Sequence, residues 1–319
     1  MIDGARGSSA PSIADARQCV DIRAPRAERH ASAPKGKDIA MAEPIYADLH
    51  VHTYHSDGTQ DIPTVFEAAR ERGLKVVAIA DHDTVNHWDE VRAAAENVGI
   101  QTVRAVEMSC YDERVCKKAH IVGLWLNDEA PHVAELCRET LRCRDAFHEK
   151  LVAELGEKGY PLSWQSVRDK ALFGTVFKMH IFQALMEAYP EDMSMDRYRE
   201  LFAGKTSKEV DAQMGYIPIA EGIRAIQADG GIAVLAHPCE YDNYDEIDDY
   251  VGWGLQGIEV THPSMREDDY PRTLAFADRH GLLRSGGSDF HDFEMTPYLG
   301  SFGLTKAQFR ELENRRFGA

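Results

Sequence analysis

The sequence predicts an α/β protein with parallel strands and helices outside them. Three observations predict this class: apolar runs of four or five residues, helix-length amphipathic stretches between them, and glycines where the helices are expected to end. At 319 residues, of which 44% are hydrophobic, the chain is long enough for one large α/β domain, or for one domain with an insertion. Regular alternation of strands and helices is typical of a parallel sheet covered by helices.

The first part of the alternating pattern lies between residues 45 and 126. Strands are predicted over residues 45–49, 76–80, 102–106 and 120–126. The stretch after the first strand places Val65, Ala68 and Ala69 on one face of a helix, and Gly73 is a typical helix stop. A second helix is expected around residues 89–97, before Gly99.

The alternation stops between about residues 127 and 215. Helical stretches cover 133–158, 164–172, 180–188 and 195–202, without a strand pattern between them. The alternation then resumes with helices predicted over 219–228 and 270–280 and strands predicted over 232–235, 257–260 and 282–285. We therefore expect one α/β unit built from residues 43–126 and 216–319, with an all-helical insertion at 127–215 that caps the substrate site.

Residues 1–42 differ in composition from the rest of the chain. They are rich in Ala, Ser, Arg, Pro and Gly, and they lack a sustained apolar period, so we expect a disordered N-terminal extension. They also lack the apolar stretch of a signal peptide. Met41 lies just before the first predicted strand, which suggests that it is the natural start; N-terminal sequencing of the native protein would check this.

Charge and composition exclude several functions. The formal net charge of −17 argues against binding a long nucleic acid through the protein's overall electrostatic field. If the substrate carries a phosphate, the positive charge that binds it has to be local. A bound metal ion would supply that charge. No run of about 18 apolar residues could span a membrane. The six cysteines form no Cys-x-x-Cys pair, which argues against cysteine-ligated zinc and indicates free thiols in a reducing cytoplasm.

Side chains that commonly bind metals follow five of the predicted strands. In chain order they are His50 and His52, then Asp81, His82 and Asp83, then Glu107, then His237, then Asp289 and His291. The carboxyl ends of parallel barrel strands meet at one face, where catalytic groups gather. His120 is the exception, because it is expected to open its strand.

The spacing of these residues suits a metal site. Two side chains at i and i+2 of an extended chain point to the same side, so His50 and His52 can bind one ion, and Asp289 and His291 repeat the arrangement. Imidazole with carboxylate suits Zn²⁺, Mn²⁺ or Fe²⁺, and a carboxylate can bridge two ions. One His-x-His is weak evidence, but five such strand ends together are hard to explain without metal.

The motifs ADLHVHTYHSDGT, IADHDT, VEMS, AHIVGL, LAHP and GGSDFH resemble the PHP (polymerase and histidinol phosphatase) family, in particular its stand-alone phosphoesterases with a helical insertion. The resemblance covers residues 45–300 and implies a distorted (βα)7 TIM-like barrel with a trinuclear site for divalent metals. It implies Glu107 as the bridging carboxylate. The implied ligands are His50, His52, Asp57, His82, Glu107, His120, His237, Asp289 and His291.

Such a site predicts hydrolysis of a phosphate ester. Paired metals lower the pKa of a shared water and neutralise the charge that develops on the phosphoryl group. We expect a nearby side chain to protonate the leaving oxygen, and the candidates are His55, His180 and His262. The predicted substrate contacts are Lys178, His180 and His262.

Other polar residues are predicted to support the site or to lie outside it. Asp48, Asp81 and Asp83 are expected to orient histidines, and His87, His132, His148 and His280 to lie on helix surfaces.

The substrate is predicted to be small, because the acidic insertion lacks the basic stripe of a nucleic-acid groove. Lys178 and Met179 stand where related phosphoesterases often have Arg-Pro before the histidine, which favours a phosphoribosyl 1,2-cyclic phosphate phosphodiesterase. The alternative is a 5′-nucleotidase or 5′→3′ exoribonuclease. A histidinol phosphatase, a C–N amidohydrolase and a non-catalytic metal-binding module are weaker alternatives, since the ligand set is complete and Glu107 stands where amidohydrolases typically use a bridging lysine.

Overall fold

The computed structural model describes residues 43–202, 213–294 and 296–317, and the expectations for residues 1–42, including the start at Met41, lie outside these ranges. In the described part, no helix combines the length and the apolar character that a membrane crossing requires. Helices and strands alternate through most of it, so the predicted α/β class is confirmed.

Nine strands of the described ranges form two sheets. The strands are β1 (Ala47–Val51), β2 (Val76–Ile79), β3 (Gln101–Thr102), β4 (Ala105–Asp112), β5 (Lys117–Leu124), β6 (Ile217–Pro218), β7 (Ile232–Leu235), β8 (Gly257–Thr261) and β9 (Leu283–Gly286). One sheet has the order β1-β2-β3, and the other has the order β6-β4-β5-β7-β8-β9. Two single parallel bridges join the sheets, Val51 to Phe290 and His82 to Glu107.

The described helices lie mainly between the strands. They are α1 (Ile62–Glu71), α2 (Trp88–Val98), α3 (Pro131–Glu157), α4 (Trp164–Arg168), α5 (Lys178–Ala188), α6 (Met195–Phe202), α7 (Ile219–Ala228), α8 (Ile247–Gly252), α9 (Asp269–His280) and α10 (Lys306–Phe317). Asp61 caps α1 by accepting from Thr64 N, and Gly99 ends α2 in the left-handed conformation at φ 71°. The end of α2 lies close to the position that the sequence predicts.

The prediction of parallel strands is wrong for β5, which runs antiparallel to both β4 and β7. The single strand expected over residues 102–106 is also two strands, β3 in one sheet and β4 in the other. Arg104 lies at the crossing and donates to the backbone oxygens of Asn127 and Val85. As a result Glu107 lies inside β4, and His120 lies within β5 instead of opening it.

Four described helices, α3 to α6, lie between β5 and β6. They share an apolar core that includes Phe147, Leu151, Phe182 and Leu185. The helix predicted over 164–172 is wrong beyond Arg168, because the chain turns there and Val176 N instead donates to Asp145 in α3. The short strand β6, which pairs with β4, was not predicted.

Most strand residues are buried, and the apolar ones form three core clusters beneath the helices. Cys110, Cys137, Cys143 and Cys239 are free thiols as predicted, whereas Cys116 is disulfide-bonded and departs from that prediction. These cores fix the strand ends, and polar side chains project from the loops that follow them.

Candidate metal centre

Two histidines of the first strand face the same side, as their spacing predicts. His50 lies in β1 and His52 directly follows it; both side chains are fully buried, and their Nε2 atoms lie 3.1 Å apart. Close packing of the loop after β9 supports this position, because a Cβ on Gly287 would lie 2.3 Å from the Cβ of His50. A glycine is therefore required where that loop crosses β1.

Glu107 stands at the centre of the site, where its two carboxylate oxygens contact five imidazoles. Oε2 lies 3.1 to 3.2 Å from nitrogen atoms of His50, His52 and His82. Oε1 lies 2.8 Å from both His120 Nδ1 and His237 Nε2. Because β5 is antiparallel, His120 near its start reaches the same edge as the residues at the ends of the parallel strands. The reversed direction of β5 thus explains the exception seen in the sequence.

The remaining predicted ligands close the site on the solvent side. His291 Nε2 lies 3.2 Å from Asp57 Oδ1, and His52 Nε2 lies 3.1 Å from Asp289 Oδ1. Together these contacts bring all nine predicted ligand residues into one cluster. The ligand atoms fall into overlapping groups, each with its atoms within 4.8 Å of one another: His52, Asp57, His82 and His291; His50, His52, Glu107 and Asp289; His82, Glu107 and His120; and Glu240, His262 and Asp289.

The donor atoms fit divalent cations. Two ligand atoms bound to one ion at about 2.1 Å lie roughly 3 Å apart, which is close to most separations in the cluster. Three ligand atoms in the described part of the chain are buried without a hydrogen-bond partner: Asp57 Oδ1, His82 Nδ1 and Glu107 Oε2. Buried polar atoms without partners are rare, and a bound cation would satisfy those that face the cluster. The mixed nitrogen and oxygen donors suit Zn²⁺, Mn²⁺ or Fe²⁺.

Contacts behind the imidazoles support the same conclusion. His50 donates from Nδ1 to Glu259 Oε1 at 2.9 Å, and His291 donates from Nδ1 to the backbone oxygen of Asp289 at 2.8 Å. Each ring therefore keeps a proton on the outer nitrogen and directs Nε2 toward the cluster. A carboxylate or carbonyl behind a histidine is the usual arrangement around a metal-binding imidazole.

The electrostatics of the centre favour cations. Burial raises the pKa of Glu107, but His50 and His120 outweigh it, so that this pKa lies well below its usual range. Burial lowers the pKa of His237, yet Glu240 and Glu107 raise it to about 10. The pKa of His291 also rises to about 10, because Asp57 and Asp289 outweigh the effect of burial. The carboxylates are thus ionised, and divalent cations would replace the protons that these imidazoles hold.

Backbone conformation also marks this site. Asp83, His237 and Asp289 have positive φ angles of 55°, 24° and 48°. Residues other than glycine adopt this region at a cost in free energy, and such strain clusters at functional sites. These three residues belong to the loops that follow β2, β7 and β9, whereas Cys116, Trp125 and Ala130 have positive φ angles away from the site.

The sequence did not single out Glu259 or Glu240. Glu259 lies in β8, fully enclosed, and also accepts from the backbone N of His237 at 2.8 Å. Glu240 Oε2 lies 3.4 Å from His237 Nδ1. A charged residue inside the apolar run of β8 is a signal that could have identified Glu259, because a buried carboxylate needs a partner.

The expectation that three aspartates orient histidines is wrong for Asp48 and Asp83, whereas Asp81 pairs with His87 and holds Ser56, whose hydroxyl lies 3.4 Å from His52 Nδ1. Asp48 accepts from the backbone N of Ser288 and Gly300. Asp81 accepts from Thr53 and Ser56 and pairs with His87, which belongs to none of the metal-binding groups. Asp83 accepts from Ser109 N and pairs with Arg144. The structure gives the role of orienting His50 to Glu259.

The predicted catalytic and substrate residues take different positions. His262 Nε2 lies 3.3 Å from Asp289 Oδ2, at the edge of the cluster. His180 is buried at the start of α5, where its Nδ1 accepts from Phe177 N, and burial lowers its pKa to about 4. Lys178 is the first residue of α5. His55 points away from the cluster and contacts Glu90 Oε2 at 3.1 Å.

Two of the histidines predicted to lie on helix surfaces are buried, and that prediction is wrong for them. His148 in α3 is 1% exposed and donates from Nδ1 to the backbone oxygen of Val176. His87, just before α2, is 8% exposed and pairs with Asp81. His132 is exposed as predicted, and His280 is partly exposed and pairs with Asp248. Burial of the first two depends on tertiary contacts that a local pattern does not contain.

Comparison with known proteins agrees with this geometry. The family model described as PHP domain matches residues 48–219. The chain is 37% identical over 256 residues to a phosphoribosyl 1,2-cyclic phosphate 1,2-diphosphodiesterase from Eggerthella lenta, covering 79% of this chain and 97% of that protein. It is 31% identical to a 5′-3′ exoribonuclease from Haemophilus influenzae, covering 76% and 89%.

A solved structure agrees as well. A protein from Bifidobacterium adolescentis, provisionally named a metal-dependent phosphoesterase, superimposes with a TM-score of 0.74 at 30% identity, covering 86% of this chain and 98% of that one. The chain therefore belongs to the PHP domain family. It is a hydrolase of phosphate esters, and the family and the donor set imply divalent metal ions.

Proposed function

We propose that this hydrolase cleaves a small cyclic phosphate diester, a phosphoribosyl 1,2-cyclic phosphate. The observation that carries the metal-dependent chemistry is Glu107, whose carboxylate contacts five imidazoles. Similarity to the Eggerthella lenta diphosphodiesterase over nearly its full length supports the choice of substrate. Lys178-Met179-His180, in place of an Arg-Pro-His run, also favours this substrate.

The finer architecture is part of the same proposal. The two sheets close into one distorted (βα)7 barrel; the two bridges between Val51 and Phe290 and between His82 and Glu107 support this. Residues 127–215 are an insertion that caps the substrate site. The overlapping ligand groups support a trinuclear centre of Mn²⁺, Zn²⁺ or Fe²⁺. The cytoplasmic location inferred from the cysteines stays a prediction.

Bound cations would supply a water of lowered pKa and neutralise the charge on the phosphoryl oxygens. The chain's own contribution centres on His262. Its Nδ1 accepts from the backbone N of Ser264 at 3.2 Å, so the proton of the neutral ring is on Nε2. That proton faces Asp289 Oδ2 at 3.3 Å, at the edge of the cluster. His262 is therefore placed to hold a proton for the oxygen that leaves the phosphorus.

The first turn of α5 is the proposed phosphate contact. Lys178 begins this 11-residue helix, and the N-terminal end of a helix attracts anions. His180 accepts from Phe177 N at Nδ1, which leaves Nε2–H as a donor. A low pKa keeps His180 neutral at pH 7, so it would bind a phosphoryl oxygen as a hydrogen-bond donor without adding charge.

A second candidate is hydrolysis of nucleotides or short RNA from the 5′ end. Its support is the 31% identity to the exoribonuclease from Haemophilus influenzae. The net charge of −17 argues against a long RNA, because such a chain needs basic contacts along its backbone. Both candidate activities use the same metal centre, and they differ in the part of the substrate that is attached to the phosphate.

A phosphate-release screen of Mn²⁺-loaded protein tests the proposal. The panel holds ribose cyclic phosphates, sugar phosphates, nucleotides, short 5′-phosphorylated RNA and histidinol phosphate. We expect the cyclic phosphates to be the preferred group, and Asp289→Ala to abolish turnover. Asp245→Ala is the matched control, because Asp245 is 81% exposed and belongs to none of the metal-binding groups. Preference for nucleotides would favour the second candidate, and no turnover of any ester would overturn the phosphoesterase itself.

A further inference from the structure

A pocket lies beside two of the loops that carry metal-binding residues. It lies between the loops that follow β1 and β2 and the turn that joins α4 to α5, and its volume is about 380 Å³. We call it the ring pocket; its lining includes His55, Asn86, His87, Asp89, Glu90 and Phe173. The loops after β1 and β2 also carry the metal-binding residues His52, Asp57 and His82, so the ring pocket and the metal centre share these two loops.

Phe173 forms an apolar wall of the ring pocket. Its ring centroid lies 3.9 Å from that of His55, and it stacks on Tyr54 at 4.7 Å with an interplanar angle of 13°. Even so, the residue is 50% exposed. A large aromatic side chain left half exposed beside a polar pocket offers a surface on which a flat or ring-shaped ligand can pack.

The polar lining of the ring pocket is rich in hydrogen-bond acceptors. Asp89 and Glu90 supply carboxylates, and His87 supplies a ring nitrogen. His87 donates from Nε2 to Asp81 at 3.0 Å, so its Nδ1 is the acceptor of the neutral ring. His87 is only 8% exposed, yet Nδ1 finds no hydrogen-bond donor among the described residues. Because Nδ1 is itself enclosed, the acceptors that a ligand in the ring pocket can reach are the carboxylates of Asp89 and Glu90.

We infer that the ring pocket binds the neutral ring of the substrate, a ribose or a nucleobase, and that it excludes a second phosphate group. Hydroxyl and amino groups are donors that match the carboxylates of Asp89 and Glu90. A phosphate would meet these two carboxylates, which pair with Arg92 and His55, and no lysine or arginine of the described chain is part of the lining, which makes the exclusion electrostatic. The inference rests on the proposed phosphoesterase function and identifies what binds beside the reacting phosphate.

Steady-state kinetics of the Mn²⁺-loaded protein test the apolar wall. The substrates are methyl phosphate, which has no ring, ribose 1,2-cyclic phosphate and AMP. Phe173→Ala is expected to raise KM for the ring-bearing esters about tenfold relative to methyl phosphate, which is the usual scale of stacking on an aromatic side chain. Leu172→Ala is the matched control, because Leu172 is 70% exposed and is not part of the lining. A rise for both ring-bearing esters assigns the pocket to ribose, and a rise for AMP alone assigns it to the base.

A charge variant tests the exclusion of phosphate. Glu90→Lys is expected to raise kcat/KM for adenosine 3′,5′-bisphosphate about fivefold relative to AMP, since it replaces a repelling charge with an attracting one. Glu96→Lys makes the same change on an exposed residue of the same helix, away from the pocket. This variant controls for the effect of net charge. It is expected to leave the ratio of kcat/KM for the bisphosphate to kcat/KM for AMP unchanged.

Two results would overturn the inference and leave the proposed function intact. In the first, Phe173→Ala and Leu172→Ala give the same ratio of KM values across the substrates. In the second, Glu90→Lys and Glu96→Lys give the same preference between the bisphosphate and AMP. If the unaltered protein turns over no ester at all, the proposed function fails first, and the assignment of the pocket falls with it.

Discussion

Glu259 is a residue whose effect on the metal centre passes through a neighbour. It lies fully enclosed in β8 and receives the Nδ1 proton of His50 at 2.9 Å. His50 accounts for part of the low pKa of Glu259, although burial alone would raise it. The carboxylate therefore fixes the orientation of the His50 ring and keeps Nε2 directed at Glu107.

Replacing this carboxylate by an amide is expected to weaken metal binding without changing a ligand. Glu259→Gln should reduce Mn²⁺ affinity about 10- to 100-fold, as is usual for the partner behind a metal-binding imidazole. Competition with a chelator of known affinity measures the change. Glu135→Gln, on an exposed glutamate of α3, is the control. Equal affinity in the two variants would mean that Glu259 does not position His50.

His148 makes the stability of the helical segment depend on pH. Burial and the charge of Arg144 lower its pKa to about 3, so the folded protein keeps it neutral, whereas an unfolded histidine titrates near 6.5. The unfolded chain thus binds a proton first as the pH falls, and the contribution of His148 to stability is present above pH 6.5 and lost progressively toward pH 3.

We therefore expect His148→Gln to flatten this dependence. Between pH 7.5 and 5 the wild type should lose about 2 kcal/mol more unfolding free energy than the variant, since each pH unit below 6.5 contributes about 1.4 kcal/mol. Urea unfolding of metal-free protein in EDTA measures the difference and removes any effect of metal release. If the unfolding free energies of the wild type and the variant changed with pH in parallel, His148 would not be the source of this pH dependence.

At the scale of elements, the sequence predicted most strands and helices because their periodicity is local. The ends of β1, β2, β7 and β9 were recognisable as metal-binding loops for the same reason, since each places polar residues directly after an apolar run. The direction of β5 could not be predicted in this way. Strand direction depends on which distant strands pair, and the hairpin between β4 and β5 becomes visible only in the fold.

The same limit explains why the sequence did not reveal three charged residues that contact the site. Glu240, Glu259 and Arg144 are ordinary charged residues in sequence, and only tertiary packing brings them beside imidazoles or carboxylates. Arg144 in α3 is the clearest example. It donates at 2.8 Å to both Asp83 and Ser109, and its guanidinium lies over the ring of Phe177, which stacks on His82. One side chain thus connects the helical segment to a loop of the metal centre.

Arg144→Met is expected to destabilise the protein by about 3–5 kcal/mol, because it leaves the buried charge of Asp83 without its partner. Arg144→Met combined with Asp83→Asn should recover part of that loss. Urea unfolding of the single and double variants measures both. Arg142→Met is the control, since Arg142 lies in the same helix but is 68% exposed. A loss no larger than that of the control would show that the pair does not hold α3 in place.

At the scale of the whole molecule, a net charge of −17 and ionised carboxylates at the centre make the fold a target for cations. Ions that bind only the folded state stabilise it by mass action, about 4 kcal/mol per site at 1,000 times the dissociation constant. Removal of metal should accordingly lower the melting temperature, and added Mn²⁺ should restore it.

Thermal unfolding across a Mn²⁺ titration measures this effect. Asp57→Asn is expected to reduce the rise in melting temperature, and Asp245→Asn to leave it unchanged. A melting temperature independent of Mn²⁺ in the wild type would contradict a metal centre formed by the cluster.

The central carboxylate has a consequence for how the fold opens. Oε2 of Glu107 contacts histidines from the three-stranded sheet and its loops, while Oε1 contacts histidines from the six-stranded sheet. In the described chain two single backbone bridges link the sheets, one of which is made by Glu107 itself, and strands of both sheets share an apolar core. Cations bound there would couple the sheets into one cooperative unit, so that hydrogen exchange in both slows together when metal is present.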